Sequence, residues 1–242
     1  MHDTYNYRHF RIDPDAAQLA GPNVGERFID VPVWDLHGRR RMLSEFVGKG
    51  RPVVLETGSL TCPIFVSNIP NGNQLVRSHP DIDWFVLYTR EAHPGGRMDQ
   101  VNSLNEKIGR ARLLRDKEPE RRAILIDGVD GAAHRAYGAM PNFMYLFDRH
   151  GQVRLRDSWM NHEQIEQALA HPLVTRPSYQ TVPPRMPGSL TMVRVLARGG
   201  VRAFTDMLRA QGDMRVETAR AKHTGALDAS QPRSSREDSE LS

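Results

Sequence analysis

The chain has 242 residues, of which 39% are hydrophobic and 26% charged, a globular composition that leans to the polar side. It contains no run of about 18 apolar residues and spreads its arginines without interleaved aromatics, so we expect neither a membrane span nor a nucleic-acid partner. The net charge of +4 is modest, and the one cysteine excludes both an internal disulfide and a multi-cysteine zinc site.

Residues 1–24 are polar and weakly patterned, and we predict that they form an N-terminal arm. The first residues lack the basic and then apolar profile of a secretory signal. We therefore expect a cytoplasmic protein.

Residues 25–172 are predicted to form an α/β domain, because apolar runs alternate with helical stretches. Such a sheet is parallel at its centre, and a hairpin around residues 148–151 adds an antiparallel edge. Pro70 lies inside a predicted helix and is expected to kink or break it. The predicted strands cover residues 28–36, 52–57, 84–88, 123–127, 142–147 and 152–155, and the predicted helices cover residues 42–47, 63–78, 100–114, 131–137 and 162–170.

The chain changes character beyond this domain. Residues 173–227 are predicted to hold a proline-rich connector and amphipathic helices, and residues 228–242 a disordered tail. A basic helix face would suit an acidic surface, whereas a helix pair packed on its own domain or on a second copy, as in a homodimer, is the simpler alternative. The predicted basic face comprises Arg194, Arg198, Arg202 and Arg209, opposite Leu196, Val201, Phe204 and Leu208.

Cys62 follows a buried strand and directly precedes Pro63, a residue favoured at the first position of a helix. A cysteine that caps a helix N-terminus meets partial positive charge and free N–H groups, so we expect its thiol pKa to fall below about 8.5. The hydroxyls of Ser59 and Thr61 are candidates for hydrogen bonds to the sulfur. The alternative is a structural cysteine that packs as a small apolar residue.

Other candidate site residues follow later strands. Glu91 and His93 come just after the strand 84–88, and the carboxyl ends of parallel strands gather ligands, so both could meet Cys62 in space. His93 titrates near neutral pH and could handle a proton, with Glu91 orienting it. Pro141 precedes the strand 142–147, and we predict a cis peptide bond there that faces the sulfur.

These residues resemble the iodothyronine deiodinases, a family with a thioredoxin-like fold of the redoxin type. The first family signature is a strand followed by Gly-Ser, a variable residue, Thr, selenocysteine and Pro, and residues 58–63 match it with cysteine at position 62. The second signature is an aromatic strand that ends in Glu-Ala-His-Pro, found at residues 91–94. A Tyr-Gly-Ala at residues 137–139 follows, and the resemblance covers roughly residues 25–170.

The resemblance implies that Cys62 attacks as a nucleophile while Glu91 and His93 handle the proton and contact the substrate. In the family reaction a selenolate takes iodine from an aromatic ring, a proton replaces it, and thiols reduce the enzyme. Leu60 stands where many members carry a second cysteine, and Val101 lies near the position of a downstream histidine. We therefore expect a small halogenated aromatic substrate, an external thiol such as glutathione or thioredoxin, and no metal or other cofactor.

Two alternatives remain open from the sequence. The spacing from Ser59 to Cys62 resembles that of one-cysteine peroxiredoxins, although Leu55 stands where their proline is expected. A second alternative is a non-catalytic thioredoxin-fold binding module that uses the C-terminal helices to hold a partner.

Overall fold

The structure is a computed structural model that describes residues 5–11, 21–138, 142–157, 159–170 and 185–213. The strands are β1 (Pro32–Trp34), β2 (Arg40–Met42), β3 (Val53–Gly58), β4 (Asp83–Tyr88), β5 (Ala123–Asp127), β6 (Met144–Phe147) and β7 (Val153–Asp157). The helices are α1 (Pro63–Ser78), α2 (Leu104–Lys117), α3 (Ala132–Tyr137), α4 (His162–Ala170) and α5 (Ser189–Gly199). A 3-10 turn covers Leu43–Glu45, and residues 201–213 form a further C-terminal helical segment.

The seven strands lie in one sheet in the order β2-β1-β5-β4-β3-β6-β7. The three central strands, β5, β4 and β3, are parallel, and the remaining pairs are antiparallel. This confirms the predicted α/β, thioredoxin-like sheet with a parallel centre. The hairpin of β1 and β2 adds a second antiparallel edge, which was not predicted because β2 has only three residues, two of them arginines.

Alternating side chains of the central strands build a core on each face of the sheet, since successive residues of a strand point to opposite faces. One face carries Leu55, Leu87 and Leu125 together with Tyr137 of α3. The opposite face carries Val86, which packs with apolar residues of α1 and α2. The sheet is thus covered on both faces, as parallel strands require.

Helix α1 begins at its predicted position and continues through Pro70 to Ser78. The predicted break at Pro70 does not occur. The proline is exposed, so the hydrogen bond that its ring removes lies on the solvent side of the helix.

Several sequence predictions fall outside the described residues, among them the cis bond at Pro141, most of the connector and the tail 228–242. Within the described residues, no helix is both long and apolar enough to cross a membrane.

Candidate active site

The site forms where β3 and β4 end side by side. Gly58 pairs with Tyr88 in the parallel register, so the loops that follow the two strands start at the same edge of the sheet. One loop leads to Cys62, and the other carries Glu91 and His93. The predicted meeting of these two loops is therefore present in the structure.

Cys62 is the N-cap of α1, and its sulfur accepts a hydrogen bond from the Phe65 N–H at 3.5 Å. Only 3% of the residue is exposed. Burial raises the pKa of the Cys62 thiol to about 12, and the backbone N–H groups of Ile64 and Phe65 oppose this only in part. The predicted lowering of the pKa is wrong, because desolvation of the thiol outweighs the effect of the helix N-terminus.

Gly58 sets the distance between the strand end and the helix. A Cβ atom at this position would lie 2.4 Å from the Phe65 ring, which is closer than side-chain contacts allow. The absence of a side chain therefore lets Phe65 pack directly on the strand end. This contact holds the first turn of α1, and with it Cys62, against β3.

Glu91 accepts two hydroxyl hydrogen bonds in the buried interior of the site. Thr61 donates to Oε2 at 2.6 Å, and Tyr88 donates to Oε1 at 2.5 Å. Burial raises the pKa of Glu91, and the two hydroxyl donors oppose that rise. The carboxyl group is thus held in one orientation. One of its two donors, Thr61, is the residue directly before Cys62.

Ser59 and Thr61 bind the neighbouring loop. The Ser59 hydroxyl accepts the Ala92 N–H at 3.1 Å, and the Thr61 hydroxyl oxygen accepts the His93 N–H at 3.4 Å. Within the described residues, the structure gives neither hydroxyl a hydrogen bond to the sulfur. Their observed role is to join the two loops of the site.

His93 is 5% exposed, and its Nδ1 atom has no hydrogen-bond partner among the described residues. Its ring lies against the ring of Phe10, with 4.1 Å between the two centroids. Burial lowers the pKa of His93 to about 4, so the imidazole is neutral at pH 7. A neutral imidazole with a free nitrogen can accept or donate a hydrogen bond to a substrate.

Sequence reasoning did not single out Tyr88 or Gln100 as site residues. The Gln100 side chain accepts the Glu91 N–H at 2.9 Å and donates to the Glu91 carbonyl at 2.8 Å. Tyr88 could have been suspected from its place at the end of a predicted strand. Gln100 carries no such signal, since its partner lies nine residues away in an irregular loop.

The helices in residues 189–213 cover the site, and Arg198 faces inward while Arg209 is exposed. Arg198 donates to the Leu60 carbonyl at 2.9 Å, and Arg194 and Arg198 both pair with Glu118. The alternative prediction, that these helices pack on their own domain, is therefore the one that the structure shows, and the buried Glu118 of the domain attracts two arginines of the predicted basic face. Val201 and Leu208, placed opposite the basic face, are exposed.

A cleft of about 460 Å³ lies between α1 and the start of α5. Its walls include Pro70, Asn71, Gly188 and Thr191. None of Cys62, Glu91 and His93 lines it, so it is separate from the site.

Comparison with known proteins agrees with this architecture. The model of the family described as iodothyronine deiodinase matches residues 20–156. Thyroxine 5-deiodinase of Ovis aries is 30% identical over 112 residues, which is 42% of this chain and 38% of that protein. Type I iodothyronine deiodinase of Xenopus laevis is 28% identical, with 51% and 52% coverage, and the type II enzyme of Fundulus heteroclitus is 34% identical, with 42% and 43% coverage.

The chain thus spans about half or less of the length of these relatives. Two solved structures share the fold. A protein assigned as the thiol:disulfide interchange protein DsbE of Chlorobium tepidum is 19% identical with a TM-score of 0.50, covering 64% of this chain and 100% of that one. The hypothetical protein SMc02350 of Sinorhizobium meliloti 1021 is 14% identical with a TM-score of 0.52, covering 69% and 93%. Because one family model spans more than half of the chain, including both loops of the site, the chain belongs to the iodothyronine deiodinase family, a family of oxidoreductase enzymes.

Proposed function

We propose that this protein is a thiol-dependent oxidoreductase that removes iodide from iodinated aromatic compounds, with Cys62 as the nucleophile. The observation that carries the proposal is the position of Cys62 at the start of α1, beside the Thr61–Glu91 hydrogen bond, inside the family match. A nucleophile next to a positioned acid is the arrangement that halogen removal with ring protonation requires.

The proposed reaction has three balanced steps. First, the Cys62 thiolate attacks the iodine of the aromatic compound, an S–I bond forms as the C–I bond breaks, and a proton takes the place of iodine on the ring carbon. Second, an external thiol attacks the sulfenyl iodide, which releases iodide and a proton and leaves a mixed disulfide on Cys62. Third, a second thiol releases the free cysteine and a disulfide of the reductant.

Glu91 and His93 would supply the proton transfers. A carboxyl group whose pKa is raised by burial can remain protonated long enough to act as an acid. The hydroxyl of Thr61, the residue before Cys62, donates to this carboxyl group and is the candidate to pass a proton from it. His93, with its unpartnered Nδ1, is the candidate for contact with a phenolic hydroxyl of the substrate.

The chain holds one cysteine, so no second thiol within it can resolve an oxidised Cys62. We therefore propose that the reductant is a separate thiol, either glutathione or a thioredoxin. Sulfur is a weaker nucleophile than selenium in this exchange, and the reaction is expected to be slower than that of a selenocysteine enzyme.

The test incubates the full chain with an iodinated phenol and dithiothreitol and measures free iodide. Cys62→Ser is the inactive reference. The same phenol with chlorine in place of iodine measures the selectivity of the enzyme among halogens. We expect iodide release that depends on both protein and thiol and disappears in Cys62→Ser. Equal release by the two proteins would overturn the proposal, and a parallel assay with thyroxine would show whether the substrate range includes thyroid hormone.

A further inference from the structure

Two segments far apart in sequence lie over the site. The first is residues 5–11, which are part of the predicted N-terminal arm and which we call the arm from here on. The second is residues 185–213, which we call the C-terminal helices. The match to the deiodinase family covers residues 20–156, so both segments lie outside it. The contacts that they make at the site therefore lie outside the part of the chain that the family match covers.

The arm binds the loop that carries the candidate acid and histidine. Tyr7 donates to the Ala92 carbonyl at 2.6 Å, and Gln100 donates to the Tyr7 carbonyl at 3.3 Å while it also holds Glu91. The ring of Phe10 rests on the ring of His93. An aromatic side chain of the protein thus occupies the ring face of the residue proposed to contact an aromatic substrate.

The C-terminal helices bind the loop that carries the thiol. Val195 is fully buried in the same cluster as Leu60 and Cys62. Arg198 donates to the Leu60 carbonyl, and the Arg97 N–H donates to the Gly199 carbonyl at 3.2 Å. A side chain at Gly95 would collide with the Gly199 carbonyl, so the helix end sits directly on the 93–97 loop.

Asp206 joins the two segments. It is 2% exposed and accepts a hydrogen bond from the Phe10 N–H at 3.3 Å, and its carboxylate lies 3.2 Å from Nδ1 of His9. The arm and the C-terminal helices therefore close over the site as one unit. The contacts that hold them are polar bonds, ring contacts of Tyr5 and Phe10, and the burial of Val195 at the edge of the core. Both segments lie outside the strands of the sheet, so they can open locally while the sheet stays folded.

We propose that the arm and the C-terminal helices form an autoinhibitory cap over Cys62 and His93, and that the thiol reacts only when this cap opens. An aromatic compound that stacks on His93 would have to displace Phe10, so substrate and cap compete for the same ring face. This proposal concerns access to the thiol and holds whichever compound reacts there.

The test measures how fast iodoacetamide labels Cys62 in the full chain, followed by intact mass spectrometry. The chain has one cysteine, so a single mass shift reports on this site alone. Phe10→Ala removes the ring from His93, and Arg198→Met removes the bond to Leu60 while Arg194 still pairs with Glu118. We expect each change to accelerate labelling at least tenfold, with the thermal midpoint close to that of the wild type.

Each variant has a matched control away from the cap. Phe46→Ala removes another half-buried ring, which packs edge-on against Phe85. Arg112→Met removes another arginine that donates to a backbone carbonyl, that of Leu36. Both controls should label at the wild-type rate within about twofold.

Urea separates cap opening from global unfolding. Labelling through a local opening changes little with urea below the unfolding transition, whereas labelling through global unfolding rises steeply with urea. The proposal is overturned if the cap variants label at the wild-type rate, or if their faster labelling follows only the steep, global dependence. It is also overturned if wild-type Cys62 labels as fast as a cysteine in a short peptide.

Labelling and iodide release can fail independently. If the cap variants label faster but release no iodide, the cap proposal is supported and the proposed deiodination is overturned. If iodide is released and the cap variants label at the wild-type rate, deiodination is supported and the cap proposal is overturned.

Discussion

The Thr61 hydroxyl donates a hydrogen bond to Glu91 across 2.6 Å, and the two residues belong to loops that follow different strands. Thr61 precedes the candidate nucleophile, and Glu91 follows the end of β4. The pair therefore couples the position of Cys62 to the position of the acid. This bond and the Ser59–Ala92 contact join the two loops.

Thr61→Val keeps the volume of the side chain and removes its hydroxyl. It leaves Oε2 of Glu91 without its donor, so we expect a loss of about 1–3 kcal/mol in unfolding free energy and at least a tenfold loss of iodide release. Thr61→Ser keeps a hydroxyl and should recover most of the activity. Urea unfolding measures the change in unfolding free energy, and the iodide assay measures the change in activity. Equal activity of the Val and Ser variants would contradict a role for the hydroxyl.

Arg122 should be the costliest single residue to remove. Its guanidinium is buried and pairs with Glu56 on β3 and with Glu120. Arg122→Met would leave two buried carboxylates without a cation, for which we expect a loss of about 3–5 kcal/mol.

The exposed pair of Arg51 and Asp83 provides the control. Arg51→Met should cost less than about 1 kcal/mol, because solvent screens that pair. Urea unfolding of the two variants under one set of conditions gives the comparison. Similar losses would mean that the Arg122 cluster adds no more stability than a surface pair.

His93 should make the folded state sensitive to acid. Its pKa is about 4 when folded and near 6.5 when unfolded, so the unfolded chain binds more protons between these values. Stability is retained above pH 6.5 and is lost as the pH falls toward 4, with a loss of about 2 kcal/mol by pH 5. Urea unfolding at pH 7 and pH 5 measures this loss.

His93→Gln should lose less stability between pH 7 and pH 5 than the wild type. His150 is exposed on a turn, so His150→Gln should keep the full dependence of the wild type. An unchanged pH dependence in His93→Gln would show that other groups cause the acid sensitivity.

Gly58→Ala should strain the contact between β3 and α1. The added methyl group would overlap the Phe65 ring, and we expect a loss of about 1–3 kcal/mol from overpacking. Gly109→Ala on the open side of α2 meets no neighbouring atom and should stabilise by about 0.5–1 kcal/mol. Thermal unfolding of both variants checks the opposite signs, and a neutral Gly58→Ala would contradict the close approach.

The part of the site that the sequence predicts rests on local rules. A strand followed by Cys62 and Pro63 predicts a helix that starts at the cysteine, and parallel strand ends predict that Glu91 and His93 lie near it. Both predictions depend only on residues close in sequence and on the geometry of parallel sheets. The structure confirms the helix start and the meeting of the loops.

The environment of the thiol depends on contacts that no local pattern contains. Cys62 is buried in a cluster that includes Val195, more than 120 residues after it, and burial reverses the expected direction of its pKa. The inward turn of Arg198 likewise depends on Glu118, whose position opposite the helix follows from the fold alone. Amphipathic spacing identified the helix faces but could not tell which face meets the domain.

Burial of a lone thiol also bears on how the protein survives oxidants. Peroxide converts an accessible thiolate first to a sulfenic acid and then to sulfinic and sulfonic acids, which ordinary thiols cannot reverse. No neighbouring cysteine of this chain can trap the first product as a disulfide. The 3% exposure of Cys62 therefore gives the resting protein its protection against irreversible damage, and purified protein should keep its thiol in air far longer than an exposed cysteine would.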